Sequence, residues 1–170
     1  MDFTIGLCCA NSLLFVPYPY LFEIKTMRFT CYTDIKAPIQ IVVDLFKNPD
    51  NLKHWQDGFK RIEYISGAPG AEGSISKLSY DRLSLVETII RNELPEEFKA
   101  NYEHKHMVNT MSCRFKVIDV GTTRLKQEIH YTKFNGFLPK VLAKLFPGMF
   151  RKQVQKWLDQ FKYFVEKQHP

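Results

Sequence analysis

A chain of 170 residues, 45% hydrophobic and 14% aromatic, can bury the core of one domain and is too short for two comfortable ones. Its formal charge of +6 is carried without any block of five consecutive basic residues, so a generally basic surface is read rather than a nucleic-acid-binding tail. Four cysteines, Cys8, Cys9, Cys31 and Cys113, make no C-x-x-C pair and no Cys/His zinc spacing, and read as reduced structural thiols of a cytoplasmic protein.

Residues 1–26, MDFTIGLCCANSLLFVPYPYLFEIKT, are apolar yet fit neither a secretory signal nor a spanning helix. Asp2 is the only charge before Glu23, and Asn11-Ser12, Pro17 and Pro19 break the run before the roughly 20 apolar residues that a span requires accumulate. They are read as a loosely ordered extension, followed by a single domain over 27–168. From Met27 onward Phe29, Cys31, Thr33 and Ile35 alternate with Arg28, Thr30, Tyr32 and Asp34, the pattern of a strand with one buried face. Pro38 closes that strand. Ile39, Val42, Val43 and Phe46 then recur at helical spacing until Asn48-Pro49 stops the helix. A second short helical turn over PDNLKHW leads to Trp55 and an Asp57-Gly58 turn.

Short alternating segments follow at about 59–66, 73–81, 83–93, 98–106, 109–119 and 123–133, separated by turn residues, and such spacing predicts an antiparallel sheet. Alternation sorts its faces. Phe98, Ala100, Tyr102, His104 and His106 share one side, as do Met111, Cys113, Phe115 and Val117, then Leu125, Gln127, Ile129 and Tyr131. Lys99, Glu103, Arg114, Lys116, Arg124, Lys126 and Glu128 occupy the other, wet side. The covering element is C-terminal. Val141, Leu142, Leu145, Phe146, Phe150, Val154, Trp157, Leu158, Phe161 and Val165 trace a helical stripe, interrupted at Pro147-Gly148 because proline lacks the N–H and clashes with the preceding turn.

The order strand, two short helices, six strands, long helix is an α+β helix-grip arrangement, in which a curved antiparallel sheet of about seven strands wraps a C-terminal helix. In the stretches DNLKHWQDGFKRIEYISGAPGAEGS, ETIIRNELPEEFKANYE and FNGFLPKVLAKLFPGMFRKQVQKWLDQFKYFVE the chain resembles the SRPBCC superfamily of START lipid-transfer domains, polyketide cyclases and birch-pollen-type allergens. Within it, the likeness is to small single-domain bacterial members of unassigned function. It implies a glycine-rich loop joining the second and third strands, where SGAPGAEGS falls. The glycine spacing there, G-x-x-G-x-x-G, is neither a P-loop nor a dinucleotide fingerprint, so turning rather than phosphate binding accounts for it.

Counting residues around the hairpins collects one polar cluster. Turns at Pro95-Glu96, Met107-Val108 and Val120 to Thr122 would bring Glu87 near His104, His104 near Met111, and Phe115 opposite Gln127. Glu87 with His104 or His106 then admits three readings: a structural polar pair, an acid–base pair for enolisation or dehydration of a carbonyl ligand, or a metal site. The reading adopted calls for no metal and no cofactor. It is a module that holds a small hydrophobic molecule, such as a lipid, isoprenoid or polyketide-like compound, between sheet and helix. A cyclase, aromatase or dehydratase using Glu87, His104 or His106 is the alternative.

The expected ligand-facing set is Trp55, Tyr80, Glu87, Tyr102, His104, Met111, Cys113, Phe115, Gln127, Ile129, Tyr131, Phe150 and Trp157. Cys113 and Gln127, mid-strand and not large aliphatics, are expected to border open space, so that Cys113→Trp should be tolerated. From Phe137 onward seven Lys/Arg stand against Asp159 and Glu166, a net charge of +5 that suits peripheral contact with anionic lipid as well as a solvated helix face. A monomer or weak dimer is expected.

Overall fold

A computed structural model describes residues 26–169; apart from Thr26, the expected N-terminal extension lies outside them. The elements run β1 (Met27–Ile35), α1 (Ile39–Lys47), a 3-10 turn (Pro49–Asn51), α2 (Leu52–Trp55), β2 (Phe59–Ser66), β3 (Ile75–Tyr80), β4 (Ser84–Glu93), β5 (Glu97–His104), β6 (Met107–Asp119), β7 (Thr122–Phe134), α3 (Phe137–Leu145) and α4 (Pro147–Gln168). The seven strands form one curved antiparallel sheet in the order β1-β7-β6-β5-β4-β3-β2, the helix-grip α+β fold. No helix among the described residues is long and apolar enough to cross a membrane.

Each element follows from local chemistry. Pro38, at φ −58° and ψ 144°, sets the start of α1 because its ring already holds the φ a helix entry needs. The Asn48 side chain accepts from the Asp50 N–H at 3.0 Å and starts the next turn. In β1, Cys31, Thr33 and Ile35 are buried and Tyr32 is exposed, as a period of two requires. On the wet face Arg124 pairs with Asp34 at 2.6 Å and Arg114 with Glu128 at 3.1 Å; exposed pairs of this kind keep the face polar and add little stability. In the β2–β3 loop Gly67, Gly70 and Gly73 have φ of +77°, +79° and +78°, and a Cβ on Gly67 would stand 2.9 Å from Ser74 Cα. Turning and close approach explain the loop.

The core lies where α4 and α1 cross the β1 end of the sheet. Val154, Leu158, Phe161 and Val165 of α4 are buried against Cys31, Ile35, Val42, Phe115 and Leu125. Phe46 centres an aromatic cluster there, its ring 5.1 Å from Phe115, 5.7 Å from Phe161 and 6.0 Å from Phe98. Packing of this kind, at roughly 1.5–3 kcal/mol per buried apolar side chain, is what holds α4 in the grip of the sheet.

Three expectations about pairing are corrected. Glu87 lies across from Tyr102, not His104, because the turn sets Glu93 opposite Glu97 and a bulge between Ile89 and Arg91 then shifts the register once more. The β5–β6 turn is Lys105-His106, with His104 opposite Met107 and Ala100 opposite Met111; the polar pair takes the tight turn while Met107 continues the inward face. Phe115 faces Leu125 and Cys113 faces Gln127, since β6 and β7 meet across Val120-Gly121 with an irregularity between Val117 and Asp119. Four residues assigned to buried faces are exposed: His106 at the β5–β6 turn, Val117 by 51%, Leu145 by 62% and Phe146 by 58%. Val117 lies near the β6 end, and the two helix residues sit at a corner where Pro147 starts a separate helix.

Candidate functional site

Between the concave face of the sheet and α4 lies a cavity of about 390 Å³, within the size range of small-molecule sites. Alternation supplies its sheet wall: Ile62 and Tyr64 of β2, Leu78 and Tyr80 of β3, and Leu85, Glu87 and Ile89 of β4. Phe150, Val154 and Trp157 of α4 close it from the other side, at the i, i+4, i+7 spacing of one helix face. A larger depression of about 510 Å³, lined by His54, Lys152, Gln155, Lys156, Asp159, Gln160 and Tyr163, runs over the outside of α4. It is open and charged, a surface feature rather than a binding chamber.

The cavity surface is mainly apolar, with polar groups set among it. Glu87 is 9% exposed, and its Oε2 accepts from Tyr102 Oη at 2.6 Å. Burial raises the Glu87 carboxyl above its ordinary range, opposed in part by the Tyr102 hydroxyl. The Tyr102 phenol is in turn held well above its usual range by burial and by the neighbouring Glu87 charge. Tyr80 Oη donates to Gln56 Oε1 at 2.5 Å, and the Tyr80 ring stacks on Trp157 with centroids 6.0 Å apart. Burial also pushes the Tyr131 hydroxyl up to about 12. Gln127 Nε2 touches Met111 Sδ. The buried indole N–H groups of Trp55 and Trp157 have no partner among the described residues.

Of the side chains singled out from sequence, Trp55, Tyr80, Glu87, Tyr102 and Met111 line this cavity, together with Gln127, Ile129, Tyr131, Phe150 and Trp157. Cys113 and Phe115 do not; at 0% and 6% exposure they belong to the solid core. His104 and His106 sit at the β5–β6 turn, their rings 5.2 Å apart, with the His106 N–H donating to His104 Nδ1 at 3.3 Å. Burial, then the charges of His106 and Lys105, lowers the His104 pKa. Neither histidine is hydrogen-bonded to Glu87; the partner that the cavity supplies to its carboxyl is Tyr102. Among the described residues no three His, Cys, Asp or Glu side chains are placed to hold a metal.

Sequence reasoning missed much of the lining, including Ile62, Tyr64, Leu78, Leu85 and Ile89 of the sheet wall as well as Gln56, Asn109 and Met107. Asn109 and Met107 were within reach, because they continue the Met111 alternation toward the turn. Gln56 follows a four-residue helix and carries no periodic signal.

A family model described as polyketide cyclase / dehydrase and lipid transport matches residues 26–166. A search of curated proteins finds no match. Among solved structures, the Zhui aromatase/cyclase from Streptomyces sp. R1128 superposes with a TM-score of 0.72 at 9% identity, covering 85% of this chain and 96% of that one. A conserved protein from Geobacillus kaustophilus gives 0.67 at 13% identity over 85% and 98%. Norcoclaurine synthase from Thalictrum flavum, solved with dopamine and hydroxybenzaldehyde, gives 0.61 at 14% over 85% and 88%. At these identities the likeness is one of fold.

Proposed function

The chain belongs to the polyketide cyclase / dehydrase and lipid transport family, within the SRPBCC helix-grip superfamily, and we propose that it binds and carries a small hydrophobic molecule in the cavity between sheet and α4. One observation supports this reading above the others. The cavity is walled mainly by aliphatic and aromatic side chains from six strands and three helices, with polar groups in the minority, the composition of a site that recognises an apolar body and orients it at a small number of points. A lipid, isoprenoid or polyketide-like compound fits that description.

The test is a plug. Asn109 faces the cavity between Tyr102 and Tyr131 on the neighbouring strands, so Asn109→Trp fills ligand space without entering the solid core. The full-length parent is expected to bind the neutral dye Nile red and to carry a co-purified lipophile visible by native mass spectrometry. Asn109→Trp is expected to weaken dye binding roughly ten-fold or more, which is about 1.4 kcal/mol, with a thermal midpoint within a few degrees of the parent. A parent that binds neither dye nor lipophile, or a plug that leaves affinity untouched, overturns the carrier reading.

A second reading is favoured by the buried Glu87–Tyr102 pair. A carboxyl raised by burial, hydrogen-bonded to a phenol inside an apolar chamber, is equipped for proton transfer to or from a carbonyl ligand. This is the cyclase or dehydratase alternative with Tyr102 in place of the histidines. Turnover of a ring-forming carbonyl substrate separates it from simple carriage.

A further inference from the structure

Among the described residues the cavity lining carries one carboxyl, Glu87, and one cation, Lys47. Lys47 is exposed in the last turn of α1 and its Nζ is held by Asp44 at 2.6 Å, so it offers the cavity little free positive charge. Glu87 is different. It is buried, no cation pairs with it among the described residues, and Tyr102 is its one hydrogen-bond partner there. A carboxyl group has two oxygens and room for about four hydrogen bonds when ionised, so most of its capacity is left for whatever occupies the chamber.

From this arrangement, and resting on the reading of the cavity as a ligand site, we infer that the preferred ligand is neutral, with an apolar body and a hydroxyl group, an alcohol or phenol, that hydrogen-bonds Glu87. A hydroxyl can donate to the ionised carboxylate or accept from the protonated acid, so it satisfies Glu87 in either state. A hydrocarbon or ether of the same shape cannot donate, and leaves a buried carboxylate under-satisfied. A carboxylate ligand is worse. It would bring a second anion beside Glu87 with no buried cation to meet it, so one of the two must take up a proton or remain in water. The chamber therefore discriminates against fatty-acid-like ligands that share its apolar walls.

Three naphthalenes of nearly equal bulk test the inference by calorimetry on the full chain: 2-naphthol, 2-methoxynaphthalene and 2-naphthoate. The parent is expected to bind naphthol roughly ten-fold more tightly than the ether and to bind naphthoate weakest, since a site built to hydrogen-bond a group rejects analogues lacking it. In Glu87→Leu, naphthol and the ether should bind within about two-fold of each other, and naphthoate should gain. Glu87→Gln, which keeps a hydrogen-bonding group, should retain part of the naphthol preference and serves if the leucine variant does not fold. A parent that binds the ether or naphthoate as tightly as naphthol, or a naphthol preference that survives in Glu87→Leu, overturns the inference while leaving the carrier reading in place. Failure of all three compounds to bind a parent that does bind Nile red overturns the inference alone; failure of the naphthalenes, the dye and any co-purified lipophile overturns both.

An independent feature carries a second proposal. Residues 144–149, the α3–α4 corner, are exposed throughout, and they present Leu145 at 62%, Phe146 at 58% and Met149 at 49% exposure. Large apolar side chains clustered on a surface mark an interaction site. The chain has no acidic residue between Glu128 and Asp159, while Lys140, Lys144, Arg151 and Lys152 flank the corner. Phe150, next in sequence to Met149, lines the cavity. We propose that this corner docks on an anionic bilayer, its apolar tip entering the headgroup region and its basic flanks facing anionic lipid. The full chain should sediment with phosphatidylcholine vesicles containing phosphatidylglycerol, much less with phosphatidylcholine alone, and less at high salt. Phe146→Ser combined with Met149→Ser should release it at an unchanged thermal midpoint. Absence of vesicle binding, or binding indifferent to these two changes, overturns the proposal. So does a concentration-dependent dimer that the same double variant abolishes, since the corner would then belong to a second copy.

Discussion

Phe161→Ala is expected to lower stability by about 3–5 kcal/mol, the range for removing a fully buried aromatic ring. For a chain of this size the thermal midpoint should fall by roughly 6–20 °C. The ring is 0% exposed and lies 5.1 Å from Trp55 and 5.7 Å from Phe46, so α1, α2 and α4 meet on it. The surroundings cannot easily collapse into the space. Asp57, just after α2, binds Gln160 Nε2 and Lys156 Nζ of α4, each at 2.8 Å, and Gln155 Nε2 donates to the Tyr32 carbonyl at 3.1 Å. These exposed ties add little stability of their own, but they hold α4 in place against β1 and the turn after α2. Tyr163→Ala, on the same helix at 70% exposure, should stay within about 0.5 kcal/mol. Denaturant unfolding followed by circular dichroism reads both. Equal effects would mean that α4 is not the element on which the sheet is packed.

Much of this architecture was legible in the residues. A period of two between Phe29 and Ile35, prolines at 38, 49 and 147, and turn residues between short alternating runs announce strand, helices and sheet by direct steric and hydrogen-bonding rules. Which residues face inward was legible on β5, β6 and β7, His106 and Val117 apart, but the wall that β2, β3 and β4 supply through Ile62, Tyr64, Leu78, Leu85 and Ile89 was not read. Register was not. The bulge between Ile89 and Arg91 is a backbone conformation with no compositional mark in Thr88-Ile89-Ile90-Arg91. That step, added to a one-residue shift at the β4–β5 turn, carries Glu87 from His104 to Tyr102 and changes the chemistry on offer. Leu145 and Phe146 illustrate a different blindness. The break at Pro147 is expected from the chain, and α3 and α4 are separate helices; what a stripe of apolar residues does not show is that Leu145 and Phe146, beside the break, face solvent.

The boundary between cavity and solid core was also hidden, because alternation shows that a side chain points inward and not whether the space there is filled. Met111 and Cys113 are neighbours on the inner face of β6, yet Met111 borders the cavity and Cys113, 0% exposed, does not. Cys113 stands opposite Phe98 on one side and Gln127 on the other, and burial raises its thiol pKa far above the ordinary range. Read from sequence, Cys113→Trp should be tolerated; read from the packing it should not. An indole has no room there without displacing Phe98 or its neighbours, and overpacking of even a few methylenes costs about 1–3 kcal/mol. The expected loss is therefore at or above the roughly 3 kcal/mol end of that range, with a thermal midpoint lowered by about 6 °C or more. Asn109→Trp, on the same face of the same strand but over the cavity, is the matched control that should keep its midpoint and lose the dye. If Cys113→Trp instead stays as stable as the parent and blocks Nile red, the ligand chamber extends beneath β6 as far as Cys113. The core that grips α4 would then be confined to the β1 and β7 side of the sheet.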